Sequence, residues 1–174
     1  MNPGEAEERM RTLVEQHYGL LYRFAYRLCG SAADAEDLTQ QTFLAAQSHL
    51  SQLRDERLAK SWLCTILRRC FLKSARKATT SRLSSLESME EIEGRIPEVS
   101  PFDPEALQAA LNSLPEEFRT PLILFYFQEF SYKEIAEQLQ TPVGTVMSRL
   151  SRGKTYLRRA LSKEGECPPS LLDS

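Results

Sequence analysis

The feature that most constrains this chain is a central stretch, residues 80–103, in which helical periodicity is lost. On either side of it, apolar residues recur at spacings of three and four, which is typical of amphipathic helices. Because the stretch is acidic and rich in Ser and Glu, we interpret it as a flexible linker. The sequence therefore predicts an all-α fold of two small helical domains, residues 5–79 and 104–163, followed by a tail, 164–174.

In the N-terminal domain we expect three to four helices. The first covers residues 5–29 and ends at Gly30, and Ser31 caps a second helix that ends near residue 50. A third helix is predicted over residues 57–77. Its inward-facing residues should be Leu58, Trp62, Ile66, Leu67 and Cys70.

In the C-terminal domain, Pro104 and Pro115 are placed to begin two helices. Ser131 and Glu134 form a capping box for a third, and Thr141 is expected to cap a fourth. A short helix, a tight turn and a longer basic helix together predict a helix-turn-helix, whose second helix would lie in the major groove of DNA. The residues of that helix expected to face inward are Val143, Val146, Leu150 and Leu157.

Charge is strongly segregated along the chain, although the net charge is only −2. Residues 54–82 contain nine Lys and Arg against two Asp and Glu, and residues 140–163 contain six against none. Between them, residues 83–117 contain one basic and nine acidic side chains. Two basic blocks on predicted helices indicate a polyanionic partner, whereas a charge run alone is more often a solvated face.

Several function classes are disfavoured. No apolar run approaches the ~18 residues needed to span a bilayer, and the charged N-terminus lacks a signal-peptide core. We therefore expect a cytoplasmic protein without membrane insertion, whose four cysteines are reduced. Cys64 and Cys70 lack metal-site spacing, and no phosphate loop or nucleophile elbow is found. We expect no enzymatic activity, no metal and no cofactor.

Three segments resemble conserved regions of bacterial sigma factors of the extracytoplasmic-function (ECF) class, in the sigma-70 family. DAEDLTQQTFLAA resembles the core-polymerase-binding helix, SWLCTILRRCFLKSARK the promoter-melting helix, and EIAEQLQTPVGTVMSRLSRGKTYLRRAL the fourth conserved region. They occur in the expected order and are separated by the expected linker. The resemblance implies a sigma factor that binds core RNA polymerase and promoter DNA, directs promoter-specific transcription initiation, and is controlled by an anti-sigma factor.

The resemblance also implies three sets of site residues. The polymerase-binding surface would be Glu36, Asp37, Gln40 and Gln41. The minus-10 element and its melting would involve Trp62, Arg68, Arg69, Lys73 and Arg76, although Trp62 should serve mainly as core. The minus-35 element would be contacted by Thr145, Ser148, Arg149, Arg152 and Lys154.

Within the last set, Arg149 is expected to read a base edge and Arg152 to have a mixed role. The chain departs from the family at Arg69 and Lys73, where many members carry Asn and Asp. Both replacements add positive charge and remove groups that could read a base edge. With Arg69 and Lys73 at these positions, we expect a general contact with DNA rather than a particular melting specificity.

Two other functions stay open at this point. A conventional helix-turn-helix regulator would bind its operator without polymerase. A partner-binding adaptor would never read DNA, which leaves the basic face with Arg149 and Arg152 unexplained. Copurification with core polymerase followed by run-off transcription distinguishes all three.

Overall fold

The computed structural model describes residues 2–83 and 104–162. Within these residues the chain forms seven α-helices and no strand, so the predicted all-α class is confirmed. No described helix is both long and apolar enough to cross a membrane. The helices are α1 (Pro3–Cys29), α2 (Ala32–Ser48), α3 (Ala59–Leu83), α4 (Pro104–Ser113), α5 (Glu116–Tyr126), α6 (Tyr132–Leu139) and α7 (Val143–Ser162).

The described residues group into two compact units. The first unit holds residues 2–22 and 36–83, and the second holds residues 23–35 and 104–162. The predicted linker, 80–103, and the tail lie largely outside the described residues. The linker's flexibility and the predicted domain limits therefore stay predictions.

The turn between α1 and α2 follows the predicted signals. Gly30 has a φ of +73°, a left-handed conformation that glycine adopts readily, and its N–H donates to the Tyr26 carbonyl at 2.7 Å. The Ser31 hydroxyl then accepts a hydrogen bond from the Asp34 N–H at 3.4 Å. Local hydrogen bonds thus end α1 and begin α2.

The start of α3 differs from the prediction. The helix begins at Ala59 because Glu56–Leu58 forms a separate 3-10 turn, whose cap is Asp55. Leu58 therefore lies off the helix and is 59% exposed, so the prediction that it faces the core is wrong. Among the α3 residues whose side chains the structure describes, 59–78, those that are buried are Ala59, Leu63, Cys64 and Leu67.

Trp62 is also less buried than predicted. It is half-buried and packs against the edge of a hydrophobic cluster rather than inside it. The cluster consists of Leu13, Leu50, Leu53 and Ala59. Its indole therefore keeps part of its surface available to solvent.

In the second unit, α6 is held at both ends by local hydrogen bonds. The predicted capping box at its start is complete, because the Glu134 N–H donates to Ser131 Oγ at 3.2 Å and the Ser131 N–H donates to Glu134 Oε2 at 2.8 Å. At its end, Gln140 adopts a left-handed φ of +52°. The Thr141 N–H then reaches back to the Ala136 carbonyl at 3.1 Å, which closes the turn toward α7.

The helix α7 packs against α4, α5 and α6 through one buried row, formed by Val146, Leu150, Gly153 and Leu157. Gly153 permits close approach to α5, since a Cβ placed there would lie 2.8 Å from Leu122 Cδ1 and 3.5 Å from Phe118 Cβ. Any residue with a Cβ at this position would have to displace Leu122 where α7 packs against α5.

Two predictions about the start of α7 are wrong. Val143 was expected to face inward but is 41% exposed, because it precedes the buried row that starts at Val146. The Thr141 hydroxyl is buried and finds no hydrogen-bond partner among the described residues, so it does not cap the helix. The Pro142 carbonyl instead accepts the Thr145 N–H at 3.0 Å.

Candidate nucleic-acid interface

The outer face of α2 is acidic and rich in amides, as predicted. Glu36, Asp37, Gln40 and Gln41 are all exposed. The opposite face of the helix is buried through Ala35, Leu38, Thr39, Thr42, Phe43 and Ala46. We call the four exposed residues, together with Leu44, the α2 surface.

Sequence reasoning missed Leu44, which is 65% exposed, the largest exposed fraction among the large apolar side chains that the structure describes. It follows Gln40 and Gln41 by four and three residues, so it lies beside them on the helix. That spacing was readable in the sequence. An exposed leucine ringed by polar groups resembles the apolar centre of a protein–protein interface.

On α3, four of the five predicted DNA-binding residues lie along one stripe. Trp62, Arg69, Lys73 and Arg76 are separated by seven, four and three residues, which places them on one side of the helix. The three basic residues are exposed and the indole is half-buried. Arg68 is half-buried and falls outside this stripe. We call the four residues the α3 stripe.

The residues of α7 predicted to contact the minus-35 element differ in exposure. Ser148 and Arg152 are exposed on the side away from the buried row. Thr145 and Arg149 are half-buried on one flank of that row, and Lys154 is half-buried on the other. Arg149 therefore borders the buried row, and Arg152 is the outermost guanidinium of the predicted set.

The exposed apolar residues of α7 were also missed. Met147 is 51% exposed and Val143 is 41% exposed, one turn apart on the same side of the helix. Gly144 lies between them, and a Cβ built there would have no heavy atom within 4 Å. Met147 directly precedes Ser148 and Arg149 in the sequence, but its exposure is evident only from the structure.

The cysteines within the described residues are free thiols of low reactivity. Burial raises the pKa of Cys64 to about 12 and, with a smaller contribution from the charge of Asp34, raises that of Cys29 to about 11. Burial likewise raises the pKa of Cys70. Because the thiolate is the reactive and metal-binding form, these environments oppose redox or metal chemistry at neutral pH. Cys167 lies outside the described residues.

Comparison with known proteins places both units in one family. Residues 13–80 match the family described as Sigma-70 region 2, and residues 104–157 match the family described as Sigma-70, region 4. The first match contains the α3 stripe and the α2 surface, and the second contains the helix-turn-helix.

Individual relatives agree. The ECF RNA polymerase sigma factor SigL of Mycobacterium tuberculosis is 32% identical over 163 residues, which cover 90% of each chain. SigE of Mycolicibacterium smegmatis, also an ECF RNA polymerase sigma factor, is 38% identical over 161 residues. That alignment covers 87% of this chain but only 61% of the longer relative.

The fold also has a solved counterpart. The sigma factor RpoE of Bartonella quintana, crystallised in complex with the anti-sigma factor NepR, superposes with a TM-score of 0.76 at 28% identity. The alignment covers 89% of this chain and 98% of that one. Shared helices, both matched regions and the identity to SigL lead to one conclusion: this chain belongs to the ECF sigma factors of the sigma-70 family.

Proposed function

We propose that this chain binds core RNA polymerase and directs it to specific promoters. The observation that carries the proposal is the presence, in one chain, of an acidic and amide-rich helix face, a basic stripe with an aromatic residue, and a helix-turn-helix. We assign residues 5–79 to polymerase binding and minus-10 recognition, residues 80–103 to a linker, and residues 104–163 to minus-35 recognition. A conventional regulator would need only the last of these.

The α2 surface is the proposed polymerase contact. Asp37 supplies charge, Gln40 and Gln41 supply amide donors and acceptors, and Leu44 supplies apolar area at their centre. Such a centre surrounded by polar groups provides most of the binding energy in many interfaces. By resemblance to the family, the partner is the coiled coil of the largest polymerase subunit.

The α3 stripe is the proposed contact with opened DNA at the minus-10 element. Exposed cations along one side attract the phosphate backbone, and an aromatic ring on the same side can stack on an unpaired base. Trp62 has the partial exposure that such stacking requires. Arg69 and Lys73 would contribute backbone attraction rather than base reading.

The helix α7 is the proposed reader of the minus-35 element. Arg152 and Ser148 have the exposure needed to reach base edges, while Arg149, Thr145 and Lys154 lie at the flanks. Flanking cations fit contacts with the two phosphate backbones that border a groove. We therefore assign Arg152 the base-reading role that the sequence suggested for Arg149.

We further propose that an anti-sigma factor controls the protein. RpoE of Bartonella quintana was crystallised with such a protein, NepR. Binding to polymerase also implies a cytoplasmic location. The chemistry of RNA synthesis belongs to the polymerase, and we expect this chain to have no catalytic activity of its own.

The test is reconstitution with core RNA polymerase. The complex should select promoters from a randomised duplex library and start run-off transcripts from them, whereas the chain alone should bind the same duplexes weakly. Asp37→Arg should lower the affinity for core polymerase at least about tenfold, because it inverts a charge in the contact. Glu15→Arg makes the same change at an exposed site of α1 outside the α2 surface and should leave binding unchanged.

Two results would contradict the proposal. Tight, specific duplex binding by the chain alone would favour a conventional regulator. Polymerase binding without any promoter selection would favour the adaptor.

A further inference from the structure

The first turns of α7 carry an exposed apolar side chain that the proposed function leaves without a role. Met147 is 51% exposed although it directly follows Val146, the first residue of the buried row. Its neighbours on the exposed face are small, namely Gly144, Ser148 and Ser151. The thioether therefore projects beyond its surroundings, with Val143 beside it one turn earlier.

The positive charge of α7 indicates the kind of partner that this face contacts. From Val143 to Ser162 the helix has five Lys and Arg and no Asp or Glu. Arg152 lies on the exposed side, and Arg149 and Lys154 flank the buried row. A cationic helix of this kind complements a polyanion, and in a helix-turn-helix the N-terminal part of the second helix contacts base edges. Met147 is the fifth residue of α7, within that part.

The floor of the major groove offers one apolar group, the 5-methyl of thymine. Methionine is flexible and polarisable, and can fit an apolar contact of irregular shape. We propose that Met147, with Val143 at its side, reads the thymine methyl at one position of the minus-35 element. The inference rests on the proposed function, since it requires α7 to lie in the groove.

The open space at Gly144 supports this assignment. Because no heavy atom lies within 4 Å of the position a Cβ would take, the backbone between Val143 and Met147 can approach the DNA closely. A hydrogen-bonding side chain there would compete with the methyl contact. Ser148 and Arg152 would read polar groups of adjacent base pairs, so apolar and polar reading would fall to different sides of one helix.

The experiment removes only the 5-methyl group of thymine from the DNA. The probe is a promoter duplex selected by the complex of the full chain with core polymerase, with each thymine of the minus-35 element replaced in turn by deoxyuridine. For the wild type, one replacement should lower affinity about fourfold, the effect of losing one buried methyl-sized contact. With Met147→Ala that difference should shrink below about twofold, and with Met147→Leu it should persist, since leucine retains an apolar contact.

The outcomes separate the two proposals. If no deoxyuridine replacement affects the wild type, or if Met147→Ala keeps the full difference, the methyl-reading role is overturned while promoter selection stands. A selected minus-35 element without thymine overturns it equally. If the complex selects no promoter at all, the proposed function itself fails. Since Met147 is half exposed, neither variant should disturb the fold, and circular dichroism provides the check.

Discussion

Adding one methyl group at Gly153 should destabilise the second unit, although glycine is a poor helix former. In an exposed helix interior, Gly→Ala stabilises by up to about 1 kcal/mol. At Gly153 the new Cβ would lie 2.8 Å from Leu122 Cδ1 and 3.1 Å from its Cγ. Leu122 is 1% exposed, so its side chain would have to shift within the core to accept the new methyl group.

The opposing contributions set the expected magnitude. Overpacking a dense core costs about 1–3 kcal/mol, so Gly153→Ala should be destabilising by roughly 0–2 kcal/mol after the gain in helix propensity. Gly144→Ala is the matched control, because it makes the same change on the same helix where the Cβ meets open space. We expect that variant to be neutral or more stable than the wild type.

Hydrogen exchange of the α5 and α7 amides, read by mass spectrometry, measures the local free energy of unfolding in both variants. A second test repeats Gly153→Ala in a Leu122→Ala background. In that background the added methyl group occupies the cavity left by the leucine side chain, so Gly153→Ala should become stabilising. The difference between the two backgrounds is the coupling energy of a double-mutant cycle. Equal stabilisation by Gly153→Ala and Gly144→Ala in the wild-type background would refute the close-approach argument.

Three further predictions concern the α3 stripe, the recognition helix and a buried thiol. Arg69→Ala and Lys73→Ala should reduce bubble formation more than promoter recruitment; unchanged permanganate reactivity of promoter thymines would contradict this. Arg152→Ala should cost about 1–3 kcal/mol of discrimination at one minus-35 position. Arg158 lies further along α7, where a phosphate contact is expected, so Arg158→Ala should weaken all sequences alike, as transcription of a promoter library would show. Cys64 should resist alkylation at neutral pH until the chain unfolds. Because burial raises the pKa of Cys64 from its ordinary value of 9.0 to about 12, the free energy of unfolding should fall as pH rises above about 9, and Cys64→Ala should flatten that decline in chemical denaturation.

Much of the fold was predictable because its helix ends are local. Gly30, Pro104, and the pair Ser131 and Glu134 each carry a signal that acts within one turn of helix, and each was identified correctly. The alternation of basic and acidic blocks likewise pointed to the basic helices that carry the α3 stripe and the recognition residues.

The misses have non-local causes. Leu58 fits a helical stripe in the sequence, but a 3-10 turn capped by Asp55 delays α3 and turns this side chain to solvent. At the surface, periodicity distinguishes faces but not degrees of exposure, so the half-burial of Arg149 and the projection of Met147 were not predictable from spacing. In the sequence, Gly153 is only a residue of low helix propensity. Its close contact with Leu122 depends on where α5 packs, which local sequence does not determine.

The left-handed Gln140 has a consequence for how the helix-turn-helix moves. A non-glycine residue in that conformation carries about 1–3 kcal/mol of strain, which the surrounding hydrogen bonds hold in place. Sterically forbidden backbone angles separate this conformation from the right-handed one, so Gln140 itself cannot pass gradually between the two. We therefore expect α6 and α7 to keep one mutual orientation, so that the proposed groove-reading side chains are presented to DNA as a preset array and adjustment to different promoters is left to side-chain rotamers and to the DNA.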